Sequence, residues 1–138
     1  MGKLTDAVEK DLKYLRQYYP DLKRCGLTTM PTAVGMVADP QILNYPKEIR
    51  AKYSILLEIV YPDDFPHSPI KVYDMLKKIN WLRLPKERRH IFNDGSLCTH
   101  HQDELIHIKS ENRSLMIVNS AIRLYYAYLH YIETGQWE

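Results

Sequence analysis

Cysteine is scarce in this sequence: Cys25 and Cys98 are the two present among 138 residues. Two cysteines exclude a disulfide framework and cannot by themselves complete a four-cysteine zinc site, and no Cys-x-x-Cys pair occurs. Charge of one sign is missing too. Nineteen Lys plus Arg against 17 Asp plus Glu leave +2, too balanced to predict a nucleic-acid or membrane-surface partner. No apolar run reaches the roughly 18 residues that a bilayer span needs. The start, MGKLTDAVEKDL, is charged and amphipathic and lacks the apolar core of a secretory signal. Internal repeats, low-complexity tracts and linkers are absent as well. These absences lead us to expect one cytoplasmic domain over residues 1–138, in which a cysteine stays a thiol.

What is present is an ordinary globular mixture, 45% hydrophobic and 26% charged, enough to bury a core. The first twenty residues read as a helix. Leu4, Val8, Leu12, Leu15 and Tyr19 make one apolar stripe. Thr5 is expected to cap it, Asp6 and Glu9 favour the positive end of its dipole, and Pro20 ends it. Short β-compatible pieces follow from Cys25 to Asp39, broken by Pro31, Gly35 and Pro40.

The clearest strand pattern covers residues 51–61. Tyr53, Ile55, Leu57, Ile59 and Tyr61 fall on one face, and Ser54, Leu56, Glu58 and Val60 on the other. One fully apolar face beside one mixed face suits a sheet with helices packed on one side. Residues 62–69, PDDFPHSP, hold three prolines and are excluded as a central strand or helix. A short strand resumes over Ile70 to Tyr73. Residues 76–112 are irregular, polar and histidine-bearing, and a loop of that length inside one domain usually carries function. The final segment is helical, with Leu115, Val118, Ile122, Tyr125, Leu129 and Ile132 in register and Gly135 placed to stop it. The expected class is α+β, one sheet with flanking helices.

Chemistry concentrates in His90 to His101, HIFNDGSLCTHH. Asn93, Asp94 and Gly95 form a strong turn signal that presents Cys98 on a short extended piece. His90, His100 and His101 lie close to the thiol in sequence, and cationic or hydrogen-bonding neighbours lower a thiol's pKa. Three alternatives compete with a nucleophile. Cys98 can be a small buried hydrophobe. It can belong to a metal set with His90, His100, His101 or His67, although adjacent His100 and His101 point apart on an extended segment and no ligand pair has zinc-finger spacing. It can also serve a Cys–His hydrolase, for which the chain is short. No cofactor or metal is expected.

Two motifs resemble those of ubiquitin-conjugating enzymes. Residues 61–73, YPDDFPHSPIKVY, are similar to that family's aromatic-Pro-x-x-aromatic-Pro-x-x-Pro segment between the third and fourth strands. Asn93-Asp94-Gly95-Ser96-Leu97-Cys98 resembles its Asn-Gly-x-Ile/Leu-Cys approach to the active cysteine. The resemblance implies the conjugating-enzyme fold over nearly the whole chain: an N-terminal helix, a four-stranded antiparallel meander, an active-site loop and C-terminal helices. It departs from the eukaryotic members in having no His-Pro-Asn triplet. Histidine stands at position 90, where the asparagine of that triplet would fall. H-x-x-x-D-G-S-L-C, here His90 to Cys98, and the ending YIETGQWE are more similar to bacterial members found in antiphage operons, such as CBASS and Bil-type systems.

What that resemblance implies is a thioester at Cys98, passed to a lysine amine as an isopeptide. The implied covalent partner is a cGAS/DncV-like nucleotidyltransferase or a ubiquitin-like protein, with a separate activating enzyme in some systems. A chain of this length would be a stand-alone conjugating domain. His100, two residues beyond Cys98 and on the same face if extended, is the first candidate to tune the thiol or accept the lysine proton, followed by His101 and His90. Asn93, Asp94 and Gly95 support the loop, Asp94 and Asp103 are candidates to orient a lysine, and Lys109 is a candidate acceptor in cis. A non-catalytic binding module on the same fold is the alternative function. Cys25 reads as structural or incidental, Trp137 as a pin for the C-terminal tail, and the clustered Tyr125, Tyr126, Tyr128 and Tyr131 as packing residues with hydroxyls in water. Lys3, Lys10, Lys13 and Arg16 form the polar face of the first helix, and Lys86 to Arg89 a solvated charge run.

Overall fold

The apolar stripe of the N-terminal segment builds α1 (Lys3–Leu15), in which Val8, Leu12 and Leu15 are fully buried. Gly2 precedes its first turn without a side-chain cap, so Thr5 lies inside the helix rather than capping it. The helix also closes earlier than its stripe. Turn-type bonds from Tyr18 and Tyr19 to the Leu15 carbonyl tighten the chain ahead of Pro20, which has no N–H to continue the ladder.

Four strands follow: β1 (Lys23–Gly26), β2 (Pro31–Val37), β3 (Ile55–Val60) and β4 (Lys71–Asp74). They form one antiparallel sheet in the order β1-β2-β3-β4, the expected meander. The alternation of β3 appears as anticipated, with Ile55, Leu57 and Ile59 fully buried and Leu56, Glu58 and Val60 half-buried on the other face. Registers Ala33 opposite Ile59 and Ile59 opposite Val72 carry that inner face across three strands. The strand is shorter than the sequence pattern. Ala51 and Lys52 belong instead to α2 (Lys47–Lys52), a short helix that follows a 3-10 turn, Pro40–Asn44, between β2 and β3.

The computed structural model describes residues 2–99 and 109–137. Its last helix, α3 (Ser110–Thr134), packs Ile117, Val118, Ala121 and Tyr125 into the core shared by α1 and the sheet. Burying an Ile or Val side chain contributes about 1.5–3 kcal/mol, so this shared face is a substantial part of the core's stabilisation. Gly135 ends α3 in the left-handed conformation, as its position suggested. Several C-terminal helices were expected; among the described residues one long helix closes the chain.

A polar seam joins α1 to α3. The Tyr14 hydroxyl donates to Asn112 Oδ1 at 3.0 Å, and the Tyr19 hydroxyl donates to Asn119. Asp11, buried beside them, accepts the Tyr61 hydroxyl at 2.8 Å and is also hydrogen-bonded to Ser114. Burial raises the Asp11 pKa, and those two hydrogen bonds only partly offset it. Two tyrosine hydroxyls expected in water find backbone partners instead. Tyr125 donates to the Lys52 carbonyl at 2.7 Å, and Tyr126 accepts the Asp39 N–H at 2.9 Å, which ties α3 to the last residue of α2 and to the chain ahead of it. Among the described residues, no helix is long and apolar enough to cross a membrane.

Candidate functional site

The proline-rich connection leaves β3 through tight turns. Phe65 N–H bonds to the Pro62 carbonyl at 3.0 Å, His67 N–H to the Asp64 carbonyl at 2.8 Å, and Ser68 Oγ to Asp64 Oδ2 at 2.7 Å. The Phe65 ring meets Tyr61 edge-on at 4.8 Å, anchoring the segment to the core. The chain then re-enters the sheet at β4, one of its two edges.

The Asn93–Gly95 turn is laid along that edge. Leu97 N–H donates to the Val72 carbonyl of β4 at 2.9 Å, and Cys98 N–H donates to the His90 carbonyl at 2.8 Å. Ile91 and Leu97 pair as an antiparallel bridge, so residues 90–98 form a narrow hairpin. Within it, Gly95 N–H bonds to Phe92 O, Phe92 N–H bonds to Ser96 O, and Gly95 takes φ +89°, a conformation that favours glycine. Asp94 holds the turn from inside: its Oδ1 accepts the Ser96 N–H at 2.9 Å and the Ser96 hydroxyl at 2.6 Å. Its Oδ2 pairs with Lys71 of β4 at 2.7 Å. These hydrogen bonds hold the Asp94 carboxyl well below the usual carboxylate range, Lys71 contributing most. Asp94 is thus an organiser of the turn, already paired, rather than a carboxylate waiting for a lysine.

Leu97 is buried and fixes the hairpin to the core, while the next residue, Cys98, is half-exposed. Cys98 lines an open groove of about 880 Å³. Pro62, Ser68 and Pro69 of the proline-rich connection line the same groove, together with Phe92 and Asn93 of the hairpin. The two sequence motifs are therefore brought together in space. A second open groove, of about 740 Å³, shares Asp94 and Leu97 with the first and is lined by Glu58, Asp74 and Trp81.

The candidate histidines have different fates. His90 does not line the Cys98 groove; its ring stacks on Trp137, centroids 5.8 Å apart and planes within 10°, while its backbone carbonyl holds the Cys98 amide. His67 is exposed on the proline-rich turn. His100, His101 and Asp103 lie outside the described residues, and Lys109 is exposed where α3 begins. Among the described residues, no group of three His, Cys, Asp or Glu side chains is placed to hold a metal ion. Cys25, exposed on β1, is remote in character: the Arg24 guanidinium donates to its carbonyl and reaches Glu9 at 3.6 Å.

One contributor, Lys71, and one partner, that of Trp137, escaped the sequence reading. Lys71 alternates outward from buried Ile70 and Val72, yet its partner Asp94 is 23 positions away. Trp137 was expected to pin the tail, but no local pattern could name His90 as what it pins against. Compared with family models, curated proteins and solved structures, the chain matches none.

Proposed function

We propose that this protein is a ubiquitin-conjugating-like acyl transferase whose nucleophile is Cys98. The observation that carries the reading is the convergence of the proline-rich connection and the Asn93–Cys98 hairpin on one groove that contains the thiol. Either motif alone is weak support; an α+β body that places both around one half-exposed cysteine is stronger.

In this reading the Cys98 thiolate attacks the activated C-terminal carboxyl group of a protein, expels the activating group and forms a thioester. A lysine amine then attacks the thioester carbon, loses its proton to a nearby base and expels the Cys98 thiolate, leaving an isopeptide. One difficult acyl transfer is split into two easier ones. The open groove suits an extended chain terminus, with Asn93 as a donor toward the developing oxyanion; His100, by its place two residues beyond Cys98 in the sequence, is the first candidate base. The His90 ring, stacked on Trp137, supports the hairpin rather than the proton transfer. The acyl donor is a ubiquitin-like protein or the C-terminus of a cGAS/DncV-like nucleotidyltransferase, charged by a separate activating enzyme, in the setting of bacterial antiphage defence.

Co-expression with the proteins encoded beside it tests this. The expected result is isopeptide-linked products by peptide mass spectrometry, lost in Cys98→Ala and retained in Cys25→Ala. Full conjugation and defence with Cys98→Ala would instead favour a non-catalytic binding module, and release of cleaved products without conjugates would favour a hydrolase.

A further inference from the structure

We propose that Trp137 is a positioning residue for the Cys98 thiol, acting through the His90 strand of the active hairpin. The proposal rests on Cys98 being the working nucleophile and adds a role for the C-terminal tail.

The tail is built to return. Gly135 turns the chain at φ 76°, its N–H bonded to the Tyr131 carbonyl at 2.7 Å, and Gln136 N–H donates to Thr134 Oγ1 at 3.1 Å. That double turn brings Trp137 back onto the domain, where it packs against the core with the Tyr131 ring meeting it at 6.3 Å and 61°. Its indole lies nearly parallel to the His90 imidazole. His90 is the residue whose carbonyl accepts the Cys98 N–H at 2.8 Å.

The two backbone anchors of the thiol segment are therefore unequal in origin. Leu97 is held by β4, a strand of the sheet, and needs nothing from the tail. Cys98 is held by residue 90, which belongs to no named strand and carries Trp137 stacked on its ring. Removing the indole takes the packing from one side of His90 and loosens the acceptor of the Cys98 amide, while the Leu97 anchor stays. A local opening of this kind is read directly by amide exchange.

The test uses the full chain in a Cys25→Ser background, so that Cys98 is the single thiol. Amide exchange is followed residue by residue by NMR, and thiol alkylation by iodoacetamide is followed by intact mass. Trp137→Ala is expected to speed exchange at the Cys98 amide by about tenfold while Leu97 and the core strand residue Ile59 stay within about twofold. The alkylation rate is expected to change several-fold. His90→Ala, which removes the stack from the other side, should reproduce both effects, and Trp137→Phe should restore both toward the starting values. An unchanged Cys98 amide, an unchanged alkylation rate, or equal acceleration at Cys98, Leu97 and Ile59 would overturn the proposal, the last by showing general destabilisation. Neither readout uses an acyl donor. Failure of the conjugation reading in Cys98→Ala assays therefore remains distinguishable from failure here.

Discussion

The sheet has two edges, and each is associated with one of the two cysteines. Cys25 sits on β1, the other edge strand, exposed and paired in register with Thr32. Cys98 lies past β4, on a hairpin hydrogen-bonded to that strand and walled by the proline-rich connection. The residue type is the same and the exposure of Cys25 is greater, yet it is Cys98 that lines the groove of about 880 Å³. What sets Cys98 apart is the hairpin bonded to β4 and the proline-rich connection beside it. A hairpin laid on a strand edge builds walls around a thiol and fixes its backbone.

The comparison can be broken at its anchors. Leu97→Ala removes a side chain that is 3% exposed and joins the hairpin to the core. A loss of about 2–4 kcal/mol is expected in denaturant unfolding, because the buried volume is not refilled. Leu27→Ala, 68% exposed at the β1 end, should stay within about 0.5 kcal/mol. Equal losses would mean that the hairpin is not part of the core.

Next in size are the turn glycines. Gly26 and Gly95 both have positive φ, 77° and 89°. A Cβ on Gly26 would stand 2.6 Å from the Met30 carbonyl oxygen, whereas one on Gly95 meets nothing nearer than Tyr73 at 4.0 Å. Gly95→Ala should therefore cost only backbone strain, about 1–2 kcal/mol, and Gly26→Ala distinctly more. A larger loss at Gly95 would show that the hairpin is tighter than the described contacts.

The smallest expected effect is a pH dependence, and its sign separates edge from interior. The Asp94 pKa is lowered, so the order that it gives the hairpin is present above the ordinary aspartate range and is lost as pH falls through its depressed value. The Asp11 pKa is raised by burial, so folding is favoured by its protonated form, and that contribution is lost as pH rises through its elevated value. Asp94→Asn should flatten the acid-side loss of Ser96 amide protection, and Asp11→Asn should flatten the opposing trend in global unfolding. Matching trends in the two variants would contradict the assignment.

Much of the frame was legible in the sequence. The α1 stripe, the alternation through Ile55, Leu57 and Ile59, the helix stop at Gly135 and the turn at Asn93–Gly95 are local patterns with local physical causes. Short α2 was not, because KEIRAK buries no residue and so leaves no periodic signature. Asp11 was hidden for a different reason: it is a polar side chain one step from Leu12 of the apolar stripe, and its burial depends on Tyr61 and Ser114, which meet it only after folding. The site divides the same way. Cys98 and its turn could be named from spacing, whereas the Lys71–Asp94 pair and the Trp137–His90 stack join residues too far apart in the chain to leave a pattern.

The most direct measurement is intact mass of the protein after incubation with a candidate activating enzyme, ATP and the candidate acyl donor. A covalent adduct that dithiothreitol removes is predicted for the native chain and for Cys25→Ala, a dithiothreitol-resistant oxyester for Cys98→Ser, and no adduct for Cys98→Ala. An adduct that persists in Cys98→Ala, or that disappears in Cys25→Ala, would contradict the assignment of Cys98 as the nucleophile.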